Sequence, residues 1–465
     1  MNNPLLNFDQ LPFFKSIEAA HVLPALESIL DECRASITQL ERIDEPNWPN
    51  FAQVMENLDE RVGRVWSPVG HLNAVNDSAE LREAYQTGIA LLTEYHSELG
   101  QNQKLYSQYI KLQQSEGFTA LSPAQQKVIS NSVLDFKLSG AELYEQDQLR
   151  LSEVNKQLSE LSNRFERNLM DATQSWEKLV IDPAQLAGLP SSALEMALQL
   201  AVEAGKEGHL FNLQIPSYIA VMQHADNRDF RREMYLAYTT RASELSESPE
   251  FDNSDLIVDI LKLRREKANL LGYNNYADYS LVKKMAKSSD TVTEFLHDLV
   301  TYAKPVAVKE LAELKTFADS LNKAAATNQK LEAWDISYYS EKLRESRYSF
   351  NDEQVKPYFP APLVFDGMFE IVNRLFGIKL QENFSIETWQ DDVRCFDVSN
   401  QQNQLIGQLY TDLYVRKNKR GGAWMDSCID RRVINGDVQL PVAFLTCNFS
   451  PPIGDEPALL THDEV

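Results

Sequence analysis

The sequence predicts a mainly α-helical protein with a small antiparallel β-sheet near its C-terminal end. Three observations predict this fold class. Apolar residues recur at spacings of three and four, helix-start signals are frequent before about residue 390, and the apolar pattern then changes to alternation. A chain of 465 residues also exceeds what one compact core usually contains, so we expect more than one domain.

The clearest predicted helix covers residues 151–176. Its apolar residues lie on one stripe, which we interpret as a surface that packs on other helices. Two more helices are predicted to start after Ser122 and Asp182, because each of these residues is followed by a proline at the first helical position. The stripe consists of Leu151, Val154, Leu158, Leu161, Phe165, Leu169, Ala172 and Trp176.

Two segments of the middle of the chain are typical of linkers. Residues 324–330 are small and polar, and residues 356–362 contain three prolines, which predicts that this segment is not helical. Between them, Asp335 is a candidate N-cap. A further amphipathic helix follows over residues 364–375 and is ended by Gly377. We therefore divide the chain into an N-terminal helical region (1–140), a helical body (141–390) and a C-terminal region (391–465).

The C-terminal region begins with the predicted sheet, over residues 391–449. Leu409, Leu413 and Val415 alternate with polar and aromatic residues on the other face of one strand. Asn435-Gly436 is a strong signal for a two-residue hairpin turn. The sequence PVAFLTCNF follows and reads as a further strand, in which Val442, Phe444, Thr446 and Asn448 share one face.

Charge and cysteine content exclude several classes of protein. There are 45 Lys and Arg residues against 68 Asp and Glu residues, a net charge of −23, which argues against nucleic-acid binding and weakly favours basic peptides. The four cysteines form no CxxC pair, so we expect neither a disulfide framework nor a zinc knuckle. Without a basic, apolar leader or a long apolar run, the sequence predicts a cytoplasmic protein that does not enter membranes.

Residues with obvious catalytic or metal-binding spacing are absent from the sequence. No two of the seven histidines are four residues apart. The segment RGGAW, which contains Gly421 and Gly422, is a weak phosphate cradle, because no helix start follows it, and a loop between two strands is the better interpretation. His462 is better explained as an exposed residue beside a capping threonine than as a metal ligand.

The last residues, LLTHDEV, contain a helix-start signal. Thr461 and Glu464 have the spacing of a capping box, which predicts that a helix begins there, but the sequence stops at Val465.

Longer motifs make the sequence resemble a known family. LYTDLYVRKNKRGGAW (409–424), together with WDISYY (334–339) and PVAFLTCNF (441–449), closely resembles the thimet-oligopeptidase family of zinc metallopeptidases, with bacterial members the nearest. Both ends of the chain, NPLLNFDQLPFFKSIEAAHVLPAL and PALLTHDEV, share the likeness. The resemblance implies a two-lobed helical metallopeptidase fold, in which the 141–390 body forms walls of a channel that admits short peptides.

The resemblance also implies what the helix after Thr461 would do. In this family it carries H-E-x-x-H, whose two histidines bind zinc while the glutamate acts as general base for the zinc-bound water, and a later glutamate completes the site. All of these positions lie beyond Val465. We therefore expect a truncated chain with no catalytic residue and no bound zinc, inactive alone. Two alternatives remain open, a catalytically dead peptide-binding fragment and a helical scaffold.

The residues present suggest how a peptide is held. A strand beside the zinc can bind an extended peptide through main-chain hydrogen bonds. Phe444, Thr446 and Asn448 on the last strand, with Gly421 and Gly422 in the loop, are the substrate-binding candidates. An interior strand without a free edge is the alternative. The sequence leaves the oligomeric state unknown.

Without the later helix, the last strand should lose packing partners. We expect some of Val442, Phe444, Leu445 and Phe449 to be exposed and the sheet to be looser than the helix over 151–176, because each lost burial removes about 1.5–3 kcal/mol.

Overall fold

The computed structural model describes residues 3–324, 329–349, 352–434, 436–454 and 456–465, and it confirms the mainly helical fold class. The α-helices of these residues are α1 (Ala19–Leu40), α2 (Gln53–Val75), α3 (Ala79–Gly100), α4 (Gln103–Gln114), α5 (Pro123–Leu138), α6 (Glu145–Ser175), α7 (Ser191–Glu203), α8 (Ile215–His224), α9 (Arg228–Thr240), α10 (Ser254–Leu270), α11 (Tyr276–Leu281), α12 (Ser289–Ala324), α13 (Ile336–Tyr348), α14 (Asp352–Val355) and α15 (Ala361–Phe376).

Nine strands form three sheets in the described part of the chain. The largest sheet has the order β3-β4-β5-β9-β6, while β1 pairs with β2 and β7 pairs with β8. Because β5 and β9 run parallel, this sheet is mixed, and the expectation of an antiparallel sheet is wrong for that pair. The strands are β1 (Glu177–Val180), β2 (His209–Asn212), β3 (Lys379–Glu382), β4 (Arg394–Ser399), β5 (Leu405–Tyr414), β6 (Trp424–Ile429), β7 (Arg432–Ile434), β8 (Asp437–Gln439) and β9 (Val442–Phe449).

The main core joins the N-terminal helices to the C-terminal sheet. Its buried apolar residues come from the segment between Leu5 and Ala141 and from the segment between Trp389 and Phe444. An aromatic cluster marks the junction, where the ring of Phe14 meets those of Trp389, Tyr410 and Phe444 at centroid distances of 4.8, 5.5 and 6.1 Å. Burial of such large rings is a major apolar contribution to stability, so the sheet is anchored on the first helices.

The helix-start signals at Ser122 and Asp182 and the helix-end signal at Gly377 are confirmed. Ser122 caps α5 by accepting a hydrogen bond from the backbone N–H of Gln125, whose side chain accepts one from Ser122. The segment after Asp182 forms a short 3-10 helix, Pro183–Leu186. Gly377 ends α15 with φ 68°, a left-handed conformation that glycine adopts without a steric cost.

The proline-rich segment 356–362 is helical in part, which corrects the prediction. Lys356–Tyr358 is a 3-10 helix, and α15 begins at Ala361. Pro357 and Pro362 both lie in the first turn of their helices, where a backbone N–H has no intrahelical acceptor and proline is therefore tolerated. Residues 325–328 of the other predicted linker lie outside the described residues.

The predicted hairpin is confirmed by the antiparallel pairing of β7 with β8. Gly436 has φ 97°, as a tight two-residue turn requires, while Asn435 lies outside the described residues. The hairpin stands apart from the five-stranded sheet.

Across the described ranges, no helix is both long enough and apolar enough to cross a membrane.

Candidate functional site

The C-terminal ends of β5 and β9 lie side by side at one end of the sheet, because these two strands are neighbours and run parallel. The loop after β5, residues 415–423, contains the RGGAW glycines, and the segment after β9 leads to the capping box. Both segments therefore leave the sheet at the same end, which we call the sheet end.

A buried ionic network fixes the loop at the sheet end. The Asp412 carboxylate is 1% exposed and accepts two hydrogen bonds of 2.6 Å from the Arg416 guanidinium and one of 2.6 Å from Nζ of Lys419. Trp389 Nε1 donates a fourth, at 2.8 Å. Burial raises the pKa of Asp412, but the hydrogen bonds from Arg416 and the charges of Lys419 and Arg416 outweigh it and lower that pKa. Asp412 is thus a charged anchor for the loop.

The same loop caps the C-terminal end of α2. Arg416 donates to the carbonyl oxygen of Val75 and the backbone N–H of Arg420 donates to that of Ala74, both at 2.8 Å. These carbonyls have no intrahelical partner, and cations are favourable at a helix C-terminus. The basic residues of the loop therefore connect the sheet end to the N-terminal helices.

Asn448 holds the glycines of the loop. Its Nδ2 donates to the carbonyl oxygens of Arg420 at 3.0 Å and of Gly422 at 2.5 Å. Gly422 has φ 98°, a backbone conformation that favours glycine. The structure thus brings three of the predicted substrate-binding residues together, namely Gly421, Gly422 and Asn448.

Phe444 and Thr446 lie elsewhere, in the interior. Phe444 is 1% exposed and stacks on His71 at 3.7 Å between ring centroids, and Thr446 is 0% exposed. Strand β9 is paired on both sides, by β5 and by β6, so it is the interior strand that the sequence left open as the alternative.

The free edge of the sheet belongs to β6. No strand of the described residues pairs with its outer edge, although both backbone groups of Ser427 have partners: its N–H donates to Asp426 Oδ1 and its carbonyl oxygen accepts from Ser67 Oγ of α2, both at 2.8 Å. Met425 is 68% exposed and Asp426 is exposed. Sequence reasoning missed this edge, because strand order depends on long-range pairing that leaves no local signal.

A cleft opens at the sheet end. It has a volume of about 460 Å³ and lies between the end of β5 and the helices α6, α7 and α8. Its size is within the range of ligand sites, roughly 300–1,000 Å³. The lining mixes side-chain amides, carboxylates and cations with apolar residues, a composition that can contact both the backbone and the side chains of a peptide. It includes Gln174, Glu177, Gln199, Asn212, Gln214 and Lys417.

The C-terminal segment docks on α15. The N–H of Leu460 donates to the Phe359 carbonyl oxygen at 2.9 Å, and that of Ala361 donates to the Ala458 carbonyl oxygen at 2.8 Å. The predicted capping box is confirmed, with the N–H of Thr461 donating to the Glu464 carboxylate at 2.7 Å and the N–H of Glu464 donating to Thr461 Oγ1 at 3.2 Å.

The described residues do not fit a zinc ion. Within those ranges, no group of three or more His, Cys, Asp or Glu side chains is placed to hold a metal. His462 is exposed, and its ring centroid lies 6.3 Å from that of Phe359. His71, in the aromatic cluster, is 4% exposed, and burial lowers its pKa to about 3.

Comparison with known proteins identifies the class. The model of Peptidase family M3 matches residues 221–465, and the model of the Neurolysin/Thimet oligopeptidase N-terminal domain matches residues 26–148. The chain belongs to peptidase family M3, which confirms the family predicted from its motifs.

Several oligopeptidase A proteins match this chain along its whole length. The chain is 47% identical over 467 residues to Oligopeptidase A of Haemophilus influenzae, with a match that covers 100% of this chain and 68% of the relative. It is 45% identical to Oligopeptidase A of Escherichia coli, again over 68% of the relative. A match at 38% identity, to the organellar oligopeptidase A of Arabidopsis thaliana, covers 59% of that protein.

Proposed function

We propose that these 465 residues form the peptide-binding part of a cytoplasmic zinc metallopeptidase that cleaves short peptides. The observation that carries the proposal is the 47% identity of the whole chain to an oligopeptidase A. The free edge of β6, the clamped glycine loop and the cleft at the sheet end support it, because each offers polar backbone or side-chain groups to an extended peptide.

In this proposal the peptide adds to the outer edge of β6. Gly421 and Gly422 let its backbone approach the loop, since they carry no side chain, and Asn448 fixes the loop. Phe444 and Thr446 act indirectly, as buried residues that keep β9, and hence the neighbouring strand β6, in place. Main-chain recognition of this kind would tolerate many peptide sequences.

Zinc-dependent hydrolysis of a peptide requires a cluster of metal-binding side chains, and the described residues lack one. Zinc, when bound in a family enzyme, activates a water molecule for attack on the peptide carbonyl. Since no described cluster fits the metal, we propose that these residues bind peptide without hydrolysing it and retain no zinc of their own.

Metal analysis and peptide binding test the proposal together. We expect chelator-washed protein to contain no stoichiometric zinc, and to bind a short fluorescent peptide without cleaving it. The matched control is the same peptide methylated on backbone nitrogens. It should bind roughly tenfold more weakly, because a few main-chain hydrogen bonds of about 0.5–1.5 kcal/mol each are lost.

Three other outcomes would each contradict one part of the proposed function. One tightly bound zinc with peptide hydrolysis would overturn the inactivity. Binding without turnover that ignores backbone methylation would argue against the edge of β6. No peptide binding at all would favour the helical scaffold.

A further inference from the structure

A narrow groove runs between helices α3 and α6. Its volume is about 220 Å³, which is below the roughly 300–1,000 Å³ of sites that enclose a whole ligand. It can therefore hold one chain end or one side chain of a larger molecule. Residues 86–93 of α3 line about 10 Å of it and residues 156–167 of α6 line about 16 Å. We call this groove between residues 86–93 and 156–167 the α3–α6 groove.

Three cations line the α6 side of the groove. Lys156, Arg164 and Arg167 stand against a single carboxylate, that of Glu160. Among the described residues, none of the three cations has a carboxylate within ion-pair distance, although Glu160 is four residues from both Lys156 and Arg164, a spacing at which opposite charges often pair. The lining therefore has a formal charge of 3 − 1 = +2 on a chain whose net charge is −23.

Neutral polar groups complete the lining. The hydroxyl oxygens of Thr93 and Ser159 lie 3.1 Å apart and connect the two helices, while the side-chain amides of Gln86 and Asn163 supply N–H donors. Cations and N–H donors together are the groups that recognise a carboxylate, and an arginine can bind one through two parallel hydrogen bonds. Because the net charge of the chain disfavours a polyanion, the lining matches a single carboxylate.

One end of the groove lies close to the loop after β5. The backbone N–H of Asp77 donates to the Asn418 carbonyl oxygen of that loop at 3.1 Å. Arg82 of α3 then joins the two helices, since it donates to the carboxylates of Asp77 and of Asp171 on α6 at 3.1 and 3.0 Å. The lining begins four residues, about 6 Å, further along both helices.

Helix α3 is also connected to β6. Tyr85 stacks on Trp66 of α2 with ring centroids 5.0 Å apart, and the neighbouring Ser67 donates to Ser427 of β6. An extended peptide advances about 3.3 Å per residue. A peptide that lies along the outer edge of β6 and passes the glycine loop therefore needs only a few more residues to reach the groove.

We propose that the α3–α6 groove binds a carboxylate of the peptide, on an acidic side chain or at the C-terminus, and so gives the chain a preference for acidic peptides. The inference rests on the proposed function for the presence of a peptide, and on the lining of the groove for the carboxylate. It reverses the expectation from net charge alone, which favours basic peptides.

A set of three fluorescent peptides of one length tests this proposal. The first has one internal Glu and a free C-terminal carboxylate, the second has Gln in place of that Glu, and the third has a C-terminal amide. Fluorescence anisotropy measures their dissociation constants for the 465-residue chain. We expect at least one replacement to weaken binding roughly tenfold, because a charge-assisted hydrogen bond is lost. The difference should shrink at high salt.

A variant of the groove assigns this preference to its cations. Arg164→Gln should remove most of the difference between the acidic and the neutral peptides. Arg42→Gln makes the same change at an arginine outside the lining and is the matched control, which should keep the difference. Both arginines are exposed, so neither variant should disturb the fold, which circular dichroism checks.

Each result has a defined meaning. Weakening by the Gln replacement identifies an acidic side chain as the ligand, and weakening by the amide identifies the chain end. Equal affinities for all three peptides, or the same loss of preference in Arg164→Gln and Arg42→Gln, would overturn the proposal.

Backbone methylation separates this proposal from the proposed function. Binding that depends on backbone nitrogens but not on a carboxylate overturns the groove alone. Binding that depends on a carboxylate and on Arg164, but tolerates backbone methylation, supports the groove and counts against the edge of β6. No binding of any of the peptides would overturn both.

Discussion

His71 is a buried histidine without a polar partner in the described part of the molecule. Neither of its ring nitrogens has a hydrogen bond there, and its ring lies on Phe444 and against Trp389, at centroid distances of 3.7 and 4.3 Å. Burial lowers its pKa to about 3, although the charge of Asp412 acts in the opposite direction. The neutral imidazole is therefore an aromatic core residue at physiological pH.

This environment makes His71 a source of acid sensitivity. Unfolded histidine takes up a proton near pH 6.5, whereas the folded residue resists protonation down to about pH 3. Its contribution is present above pH 6.5 and is lost as pH falls toward 3, by at most about 1.4 kcal/mol per pH unit. We expect His71→Phe to flatten the fall in unfolding free energy between pH 7 and pH 5, measured by urea denaturation.

The exposed His297 supplies the control. His297→Phe should leave the pH dependence as it is. If His71→Phe changed stability equally at both pH values, its effect would be one of packing, and the assignment of acid sensitivity to His71 would be wrong.

Asp335 shows how far sequence reasoning reaches at a single residue. The N-cap position is confirmed, since α13 begins at Ile336, but the Asp335 side chain accepts no hydrogen bond from a backbone N–H of α13. Instead, its carboxylate accepts from Arg228 at 2.7 Å and from Arg231 at 2.9 Å, two residues of α9. The local signal gave the boundary, but the ion pairs join segments about a hundred residues apart, which no local pattern reveals.

At the scale of elements, none of the four side chains that we expected to find exposed on the last strand is exposed. Val442 is 3% exposed, Phe444 is 1% exposed, and Leu445 and Phe449 are partly buried. The reason is that Phe14 and His71 cover Phe444 on one face of β9, while Phe365 and other side chains of α15 pack with Leu445 and Phe449 on the other face. Both of its neighbouring strands also satisfy its backbone groups.

We therefore expect β9 to be among the most protected elements. Amide hydrogen exchange should show Val442–Phe449 protected at least as strongly as residues 151–176, because β9 is paired on both sides whereas much of the α6 stripe is only partly buried. Fast exchange along β9 under conditions where α6 is protected would contradict this expectation.

Elements with local signals were predictable, and their arrangement was not. The Ser122 cap, the Gly377 helix end and the hairpin at Gly436 each depend on residues that are adjacent in the sequence. The parallel pairing of β5 with β9, the free edge of β6 and the burial of Asp412 follow from contacts between distant segments, so alternation in one strand could not indicate them.

On the scale of the whole molecule, the core joins residues near both ends of the chain. Phe14 is 3% exposed and lies among Trp389, Tyr410 and Phe444. We expect Phe14→Ala to reduce the unfolding free energy by about 3–5 kcal/mol, as for other large-to-small core changes. It should also speed amide exchange in β9, as measured by mass spectrometry.

Phe384, which is 86% exposed, is the control for this change. Phe384→Ala should alter neither stability nor exchange by a measurable amount. If Phe14→Ala destabilised only the N-terminal helices and left β9 unchanged, the two regions would unfold independently. The three-region division of the chain stays a prediction.

The position of Phe14 has a consequence for biosynthesis. A ribosome makes the N-terminal helices first, but the aromatic partners of Phe14 emerge only after about 400 further residues, which take on the order of 20–80 s at roughly 5–20 residues per second. During that interval the nascent chain presents an unfinished apolar surface near its leading end. Ribosome-associated chaperones would therefore meet this protein early and release it late, when the last strands have closed over the first helices.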